Sequence, residues 1–276
     1  MAGVNIVKVK SILQKSKISS YCINPYLGCL HGCLYCYASM IMQKWYHQNE
    51  EWGNFVDVRI NAPELLEKEI QHKKNLDIYM SSMTDPYQPV EEKYQITRKI
   101  LSILLEKEKS KIFPSRISIT IQTKNVLVLR DLDLISQFND ITVGLTITTL
   151  EEKWSKIFEK GASKPEDRLN ALRTLNSNKI RTYVFVGPIM PYVSNNYEQL
   201  FNIVKEAERA GTEKILFDSL NYFPNLKRLN LKIQELGLYD AFKACENSQK
   251  LANLKNIIID LSKKFQKVKF DVLFKA

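Results

Sequence analysis

A chain of 276 residues, 45% of them hydrophobic, can bury a sizeable core and fits one barrel-sized domain as well as two small ones. No apolar run approaches a membrane span, and Met1 to Lys10 mixes charged with apolar residues instead of a signal-peptide pattern, so the expected compartment is the cytoplasm. The 40 Lys and Arg against 30 Asp and Glu give a formal charge of +10, which favours a polyanionic partner, although a lysine-rich solvated surface gives the same sum.

The first expected strand is Ser19 to Ile23, and the segment after it carries most of the chemistry: Gly28-Cys29-Leu30-His31-Gly32-Cys33-Leu34-Tyr35-Cys36-Tyr37. A C-x3-C-x2-C loop supplies three soft thiolates from one short segment, which suits an iron–sulfur cluster with one iron lacking a protein ligand. A structural zinc site wants four ligands from separate segments, and the nearby fourth candidate, His31, lies inside the same loop. A disulfide framework fits less well still, because five cysteines are sparse and leave one over. Cys22 and Cys245 sit in apolar contexts and read as small core residues without a role.

Phe55 to Ile60 reads as an extra edge strand in a connecting insertion. Leu76 to Met80 is the second main strand, followed by a helix with Ile96, Ile100, Ile103 and Leu104 at helical spacing. Alternating runs then mark the third strand, Ile117, Ile119 and Ile121, and the fourth, Ile141, Val143, Leu145 and Ile147. The next helix shows capping-box spacing at Ser163 and Glu166, Pro165 in its first turn, and Leu169, Leu172 and Leu175 on one face. Val184 to Val186 and Ile215 to Phe217 are the fifth and sixth strands, flanking a helix marked by Tyr197, Leu200, Val204 and Ala207.

After Phe223 the pattern turns helical and lysine-rich, with a final strand from Val268 to Leu273. The expected organisation is therefore a core over residues 1–223 with an N-terminal extension, and a helical extension over 224–276 packed on that core. Nine glycines and nine prolines argue against a flexible internal linker. Six β–α units are too few for a closed eight-stranded barrel, but suit an open partial barrel or a doubly wound sheet.

In such folds ligands collect at the C-terminal strand ends. Those positions hold the cysteine loop, then Ser81-Ser82-Met83-Thr84-Asp85, Thr123-Lys124-Asn125, Thr148-Thr149, Gly187-Pro188 and Asp218-Ser219. Any one of these residues can be a helix cap. Hydroxyls, a lysine and carboxylates converging on the rim that carries three thiolates read better as a site.

The cysteine loop, with Tyr35 before its last cysteine, resembles the signature of radical S-adenosylmethionine (SAM) enzymes. A closer resemblance, from about Asn24 to Gly211, is to their spore photoproduct lyase-like branch, often labelled DNA repair photolyases. It rests on Asn24-Pro25-Tyr26-Leu27-Gly28-Cys29, His31-Gly32-Cys33-Leu34-Tyr35-Cys36-Tyr37-Ala38, Thr84-Asp85-Pro86-Tyr87-Gln88-Pro89-Val90-Glu91, Thr123 to Asp131 (TKNVLVLRD) and Pro165-Glu166-Asp167-Arg168-Leu169.

The resemblance implies an α/β fold, a partial (β/α)6 barrel with a helical C-terminal extension. It implies a [4Fe-4S] cluster on Cys29, Cys33 and Cys36, with SAM on the fourth iron. An electron donor such as ferredoxin or flavodoxin would drive SAM cleavage to methionine and a 5′-deoxyadenosyl radical that takes hydrogen from the substrate. By position, Tyr35 lies near the adenine, Ser82 and Thr84 bind the ribose or methionine moiety, Lys124 reaches a carboxylate and Thr148 contacts the ribose. Tyr37 packs beneath the loop or shields it, and His31 orders the loop without being a ligand. Spore photoproduct lyase uses a hydrogen-donor cysteine after its second strand, and Ser81 to Asp85 contains none. The resemblance thus implies radical chemistry on DNA or RNA, a buried base being extruded first, without implying repair of the spore lesion.

Trp45, Tyr46 and Trp52 offer stacking surfaces to such a substrate or simply pack the insertion. Two other readings stay open: radical chemistry on a peptide or small metabolite, and a non-catalytic iron–sulfur or zinc protein that binds nucleic acid.

Overall fold

The computed structural model describes residues 3–110, 115–222 and 226–275. Phe223, where the expected division falls, lies outside the described residues.

The alternating and β-branched runs form one eight-stranded sheet. In chain order its strands are β2 (Leu13–Lys15), β3 (Tyr21–Ile23), β6 (Asn75–Met80), β7 (Arg116–Thr123), β8 (Ile141–Thr146), β9 (Arg181–Ile189), β10 (Lys214–Ser219) and β11 (Lys269–Val272). They lie side by side in that same order, so each new strand adds to one growing edge. From β3 to β11 every pairing is parallel, and β2 alone is antiparallel, against β3. β2 and β11 end the sheet, which stays open, as the partial-barrel expectation requires. Because successive side chains face opposite ways, Ile117, Ile119 and Ile121 of β7 enter the main core while Ser118, Thr120 and Gln122 take the other face.

Helices cover the apolar face. The long ones are α4 (Ile96–Lys109), α7 (Pro165–Ser177), α8 (Tyr197–Arg209) and α11 (Ser248–Lys264), with Ile100, Leu104, Leu172, Val204 and Ile258 among their buried residues. The shorter helices among the described residues are α1 (Ala38–Trp45), α2 (Ala62–Ile70), α3 (Glu91–Tyr94), α5 (Leu132–Ile135), α6 (Glu152–Phe158), α9 (Lys227–Glu235) and α10 (Tyr239–Lys243).

Two expectations are corrected. Phe55–Arg59 (β5) is no edge strand: it is the centre of a separate three-stranded sheet, between β1 (Gly3–Val7) and β4 (Tyr26–Leu27). Its Phe55, Val56 and Val58 are all fully buried, so both of its faces are covered, as a central position demands. Ser163 does not cap α7; Lys164 occupies that position without a side-chain cap bond. The Ser163 hydroxyl instead accepts from Val126 N and donates to Asn125 Oδ1, tying the helix entry to the loop after β7. Trp52 is buried, whereas Trp45 and Tyr46 are exposed.

Candidate active site

The loop leaves β4 through Gly28, whose φ of +84° suits glycine and where a Cβ would stand 2.7 Å from the Phe55 carbonyl. It is then held from two directions. On one side Thr84 Oγ1 and Gln88 Nε2 donate to the Gly28 carbonyl at 2.5 and 3.1 Å, and Leu30 N donates to Gln88 Oε1 at 2.9 Å. On the other, Leu34 N donates to Phe158 O at 2.9 Å and Gly161 N to His31 O at 3.0 Å, joining the loop to the end of α6. Backbone bonds from Gly32 N to Cys29 O and from Cys36 N to Cys33 O close the turns between the cysteines.

Cys29, Cys33 and Cys36 line one cavity of about 160 Å³ together with Ser82, Asp85 and Lys124. Burial pushes all three thiols up, Cys33 to about 12, and the proximity of the cysteines to one another adds to this at Cys29 and Cys33. Opposing that, Lys124 favours the thiolate at Cys33 and Cys36, and the Ala38 and Ser39 amides at the start of α1 favour it at Cys36. Three adjacent thiols whose thiolates would repel one another are suited to a polycationic group that takes them as thiolates. That donor set fits an iron–sulfur cluster.

Asp85 and Glu159 organise the walls. Asp85 accepts from Thr123 Oγ1 at 2.6 Å, Lys124 N at 2.9 Å and Tyr87 N at 2.9 Å, and pairs with His31 Nδ1 at 3.3 Å. Burial works against its charge, but His31 and these donors hold the carboxyl down at about 2. Glu159 accepts from the Tyr35 hydroxyl, from Thr148 Oγ1 at 2.9 Å and from Arg168 at 2.6 Å, and burial is again outweighed, here by Arg168 first and then Lys124 and Tyr35, leaving it at about 2. Arg168 is fully buried and also donates to the Ser163 and Thr146 carbonyls and to Ser155 Oγ.

The residues singled out in the sequence fall into two sets. Ser82, Thr84, Lys124 and Tyr35 line the thiol cavity, and Tyr35 and Lys124 also line a second cavity of about 180 Å³ beside it. Gly187, Pro188, Asp218 and Ser219, at the ends of the fifth and sixth main strands, line this second cavity too. Several of these groups are already engaged within the protein. Thr84 holds the loop, Ser82 Oγ accepts from Cys22 Sγ at 3.3 Å, and Tyr35 points its hydroxyl at Glu159 with Lys124 Nζ 5.6 Å from its ring centre. Thr148 lines neither cavity; it is buried on Glu159. Tyr37 is 46% exposed, lies across both cavities and donates to the Ser82 carbonyl, a shielding position. A larger cavity of about 340 Å³ lies between the β9 and β10 ends and α10 and α11, meets the second cavity at Ser219 and Leu220, and holds none of the three loop thiols.

Sequence reasoning missed four residues here. Gln88 and Arg168 lay inside matched motifs without a role, Glu159 carried no signal, and Gln122, which lines both cavities, showed only as a polar position in an alternating strand.

An open parallel sheet with a three-thiol loop at its strand ends defines a class, and a comparison of the chain with known families agrees. The chain belongs to the radical SAM superfamily, whose family model matches residues 23–204. The family implies SAM and an iron–sulfur cluster, and hence an enzyme. An uncharacterized protein of Methanocaldococcus jannaschii is 41% identical over 188 residues, 67% of either chain. An uncharacterized protein of Acidianus two-tailed virus is 31% identical over 240 residues, 83% of this chain and 75% of the relative. Among solved structures, spore photoproduct lyase complexed with dinucleoside spore photoproduct superposes with a TM-score of 0.68 at 15% identity, over 98% of this chain and 82% of that one. Streptococcus suis SuiB bound to S-adenosylmethionine gives 0.63 at 13% identity, over 92% of this chain and 50% of that one. At such identities the likeness is one of fold. Among the described residues no helix is long and apolar enough to cross a membrane.

Proposed function

We propose that Cys29, Cys33 and Cys36 hold a [4Fe-4S] cluster whose fourth iron takes SAM, and that the enzyme acts on a nucleic acid. The observation that carries this reading is the set of three thiols on one cavity at the strand ends, Cys29 and Cys33 buried and Cys36 half-buried, with Lys124 lining the same space. Bound there, the cluster and SAM supply one-electron cleavage of SAM, which starts hydrogen abstraction from the substrate. The chain's own groups do the rest. Lys124 offers a cation for a carboxylate, Tyr35 and Tyr37 wall the space between the two cavities, and Asp85 and Glu159 fix those walls. Thr148 acts through Glu159 as a positioning residue.

Nucleic acid is supported by the +10 charge and by the likeness of fold, over 98% of this chain, to a lyase complexed with a dinucleoside photoproduct. The absence of a cysteine from Ser81 to Asp85 argues against that lyase's own reaction. Cys22 reaches Ser82 from below, but is buried in a hydrogen-bonded position. One observation favours a peptide or small metabolite instead: among the described residues Lys124 is the one lysine lining the two site cavities, alongside Asp85 and Asp218.

Anaerobic reconstitution should give about four irons per chain and 5′-deoxyadenosine from SAM under a strong reductant, and Cys33→Ala should lose both. Iron uptake without SAM cleavage, or zinc in place of iron, overturns the catalytic reading. Deuterium appearing in 5′-deoxyadenosine from labelled DNA or RNA identifies the substrate class; transfer from labelled peptide alone overturns nucleic acid.

A further inference from the structure

Four lumen-facing positions lie beside the two cavities. Strand alternation puts Tyr79 of β6, Gln122 of β7, Gly144 of β8 and Tyr183 of β9 on the sheet face opposite the helices. Gln122 pairs in register with Gly144, and Gly144 with Tyr183. The Tyr183 ring fills the space that a side chain at 144 would need: a Cβ there would stand 2.0 Å from the ring's Cζ. From either side the Tyr79 and Tyr183 hydroxyls donate to Gln122 Oε1, at 2.9 and 3.0 Å. Burial pushes both phenols up, so both keep their protons and remain donors.

Two donors on one carbonyl oxygen fix the amide's orientation and leave its NH2 group on the far side. Among the described residues no acceptor bonds that NH2 group. Gln122 lines both cavities, at the overlap that also contains Lys124, Tyr35 and Cys36. A second observation points the same way. Thr146, two residues beyond Gly144 on the same face, lines the thiol cavity with a buried hydroxyl that has no partner. A buried hydroxyl left unbonded is destabilising, and a ligand oxygen would relieve that cost.

We infer that Gln122, locked by Tyr79 and Tyr183, joins Thr146 and Lys124 in seating the carboxylate of SAM. The inference rests on the SAM-binding reading above. An amide NH2 group and an ammonium donate only, and a hydroxyl can turn its proton outward, so a carboxylate, with only acceptor sites, is the complement of the three. Gln122 is a specificity residue in this arrangement, and the two tyrosines position it.

The test uses the reconstituted protein, with SAM and decarboxylated SAM, which lacks only the carboxylate, as probes of equilibrium binding. Gln122→Met should weaken SAM about ten- to a hundredfold, as expected for a lost bond to a charged acceptor, and leave the decarboxylated analogue within about twofold. Tyr183→Phe and Tyr79→Phe should each give a smaller loss of the same selectivity. Gln122→Glu, which sets a carboxylate against a carboxylate, should reverse the preference between the two ligands. If Gln122→Met binds both as the parent does, or loses both equally, the inference fails while the radical SAM reading stands. If the parent itself binds no SAM, that reading fails and takes the inference with it. Iron content and far-ultraviolet circular dichroism, measured on each variant, separate these outcomes from misfolding, and Gln122→Glu supplies the decisive comparison if Gln122→Met is poorly folded.

Discussion

Replacing Arg168 by Met tests the ion pair that holds the rear wall of the site. The guanidinium has no solvent exposure and makes four hydrogen bonds, to Glu159 and Ser155 side chains and the Ser163 and Thr146 carbonyls. Methionine fills much of the stem's volume but leaves Glu159, 1% exposed, with the Tyr35 and Thr148 hydroxyls as its remaining donors. Breaking a buried pair from one side costs about 3–5 kcal/mol, because the surviving charge is uncompensated. Against a total of about 5–15 kcal/mol, that is a large fraction. The urea midpoint of the cluster-free protein measures it, and Arg168→Met/Glu159→Gln should recover at least half.

The pH dependence gives the loss a sign. Glu159 sits at about 2, below its ordinary value of 4.5, so in the parent its pairing contributes stability that is fully present above pH 4.5 and is lost as pH falls toward 2. Without Arg168 most of that contribution is missing throughout. The gap between parent and variant is therefore widest near neutrality and narrows on acidification. An Arg168→Met protein within about 1 kcal/mol of the parent near neutral pH, or a gap that widens in acid, refutes the reasoning.

Asp85→Asn keeps one acceptor but gives up the charge that pairs with His31 and one of the oxygens serving Thr123, Lys124 and Tyr87. It should halve, at least, the iron retained after reconstitution and desalting, read by iron and sulfide analysis. Gly144→Ala forces the Tyr183 ring away from a Cβ 2.0 Å distant and should cost about 1–3 kcal/mol, seen as a melting-temperature drop that Tyr183→Leu partly restores. Binding of single-stranded DNA or RNA should weaken steeply with salt, and a slope near zero in a plot of log affinity against log salt argues for the peptide or metabolite reading.

The six main strands are legible in the sequence because each alternates or runs apolar, and the cysteine loop because three thiols at that spacing suit little besides a metal cluster. Legibility ends where burial comes from distant partners. Phe55 to Arg59 reads as an edge because one of its flanking strands, Gly3–Val7, is exposed along most of its length and gives no apolar signal of its own. Glu159 and Arg168 look like solvated charges until the fold places them 2.6 Å apart in the interior. Thr148 is the hydroxyl expected to face the site past the fourth strand, but it turns to Glu159, and the hydroxyl facing the thiol cavity is that of Thr146. A period of two puts both on one face and cannot say which is intercepted by a carboxylate.

The cysteine loop is clasped by Thr84 and Gln88 on one side and by Phe158 and Gly161 on the other. As the chain leaves the ribosome the thiols emerge well over a hundred residues before the second half of that clasp. Until Gly161 has been made, the bonds from Leu34 N to Phe158 O and from Gly161 N to His31 O cannot form, and half of the clasp is missing. A chain truncated before Gly161 should therefore take up zinc and oxidise more readily than the finished protein, in which Cys29 and Cys33 are buried.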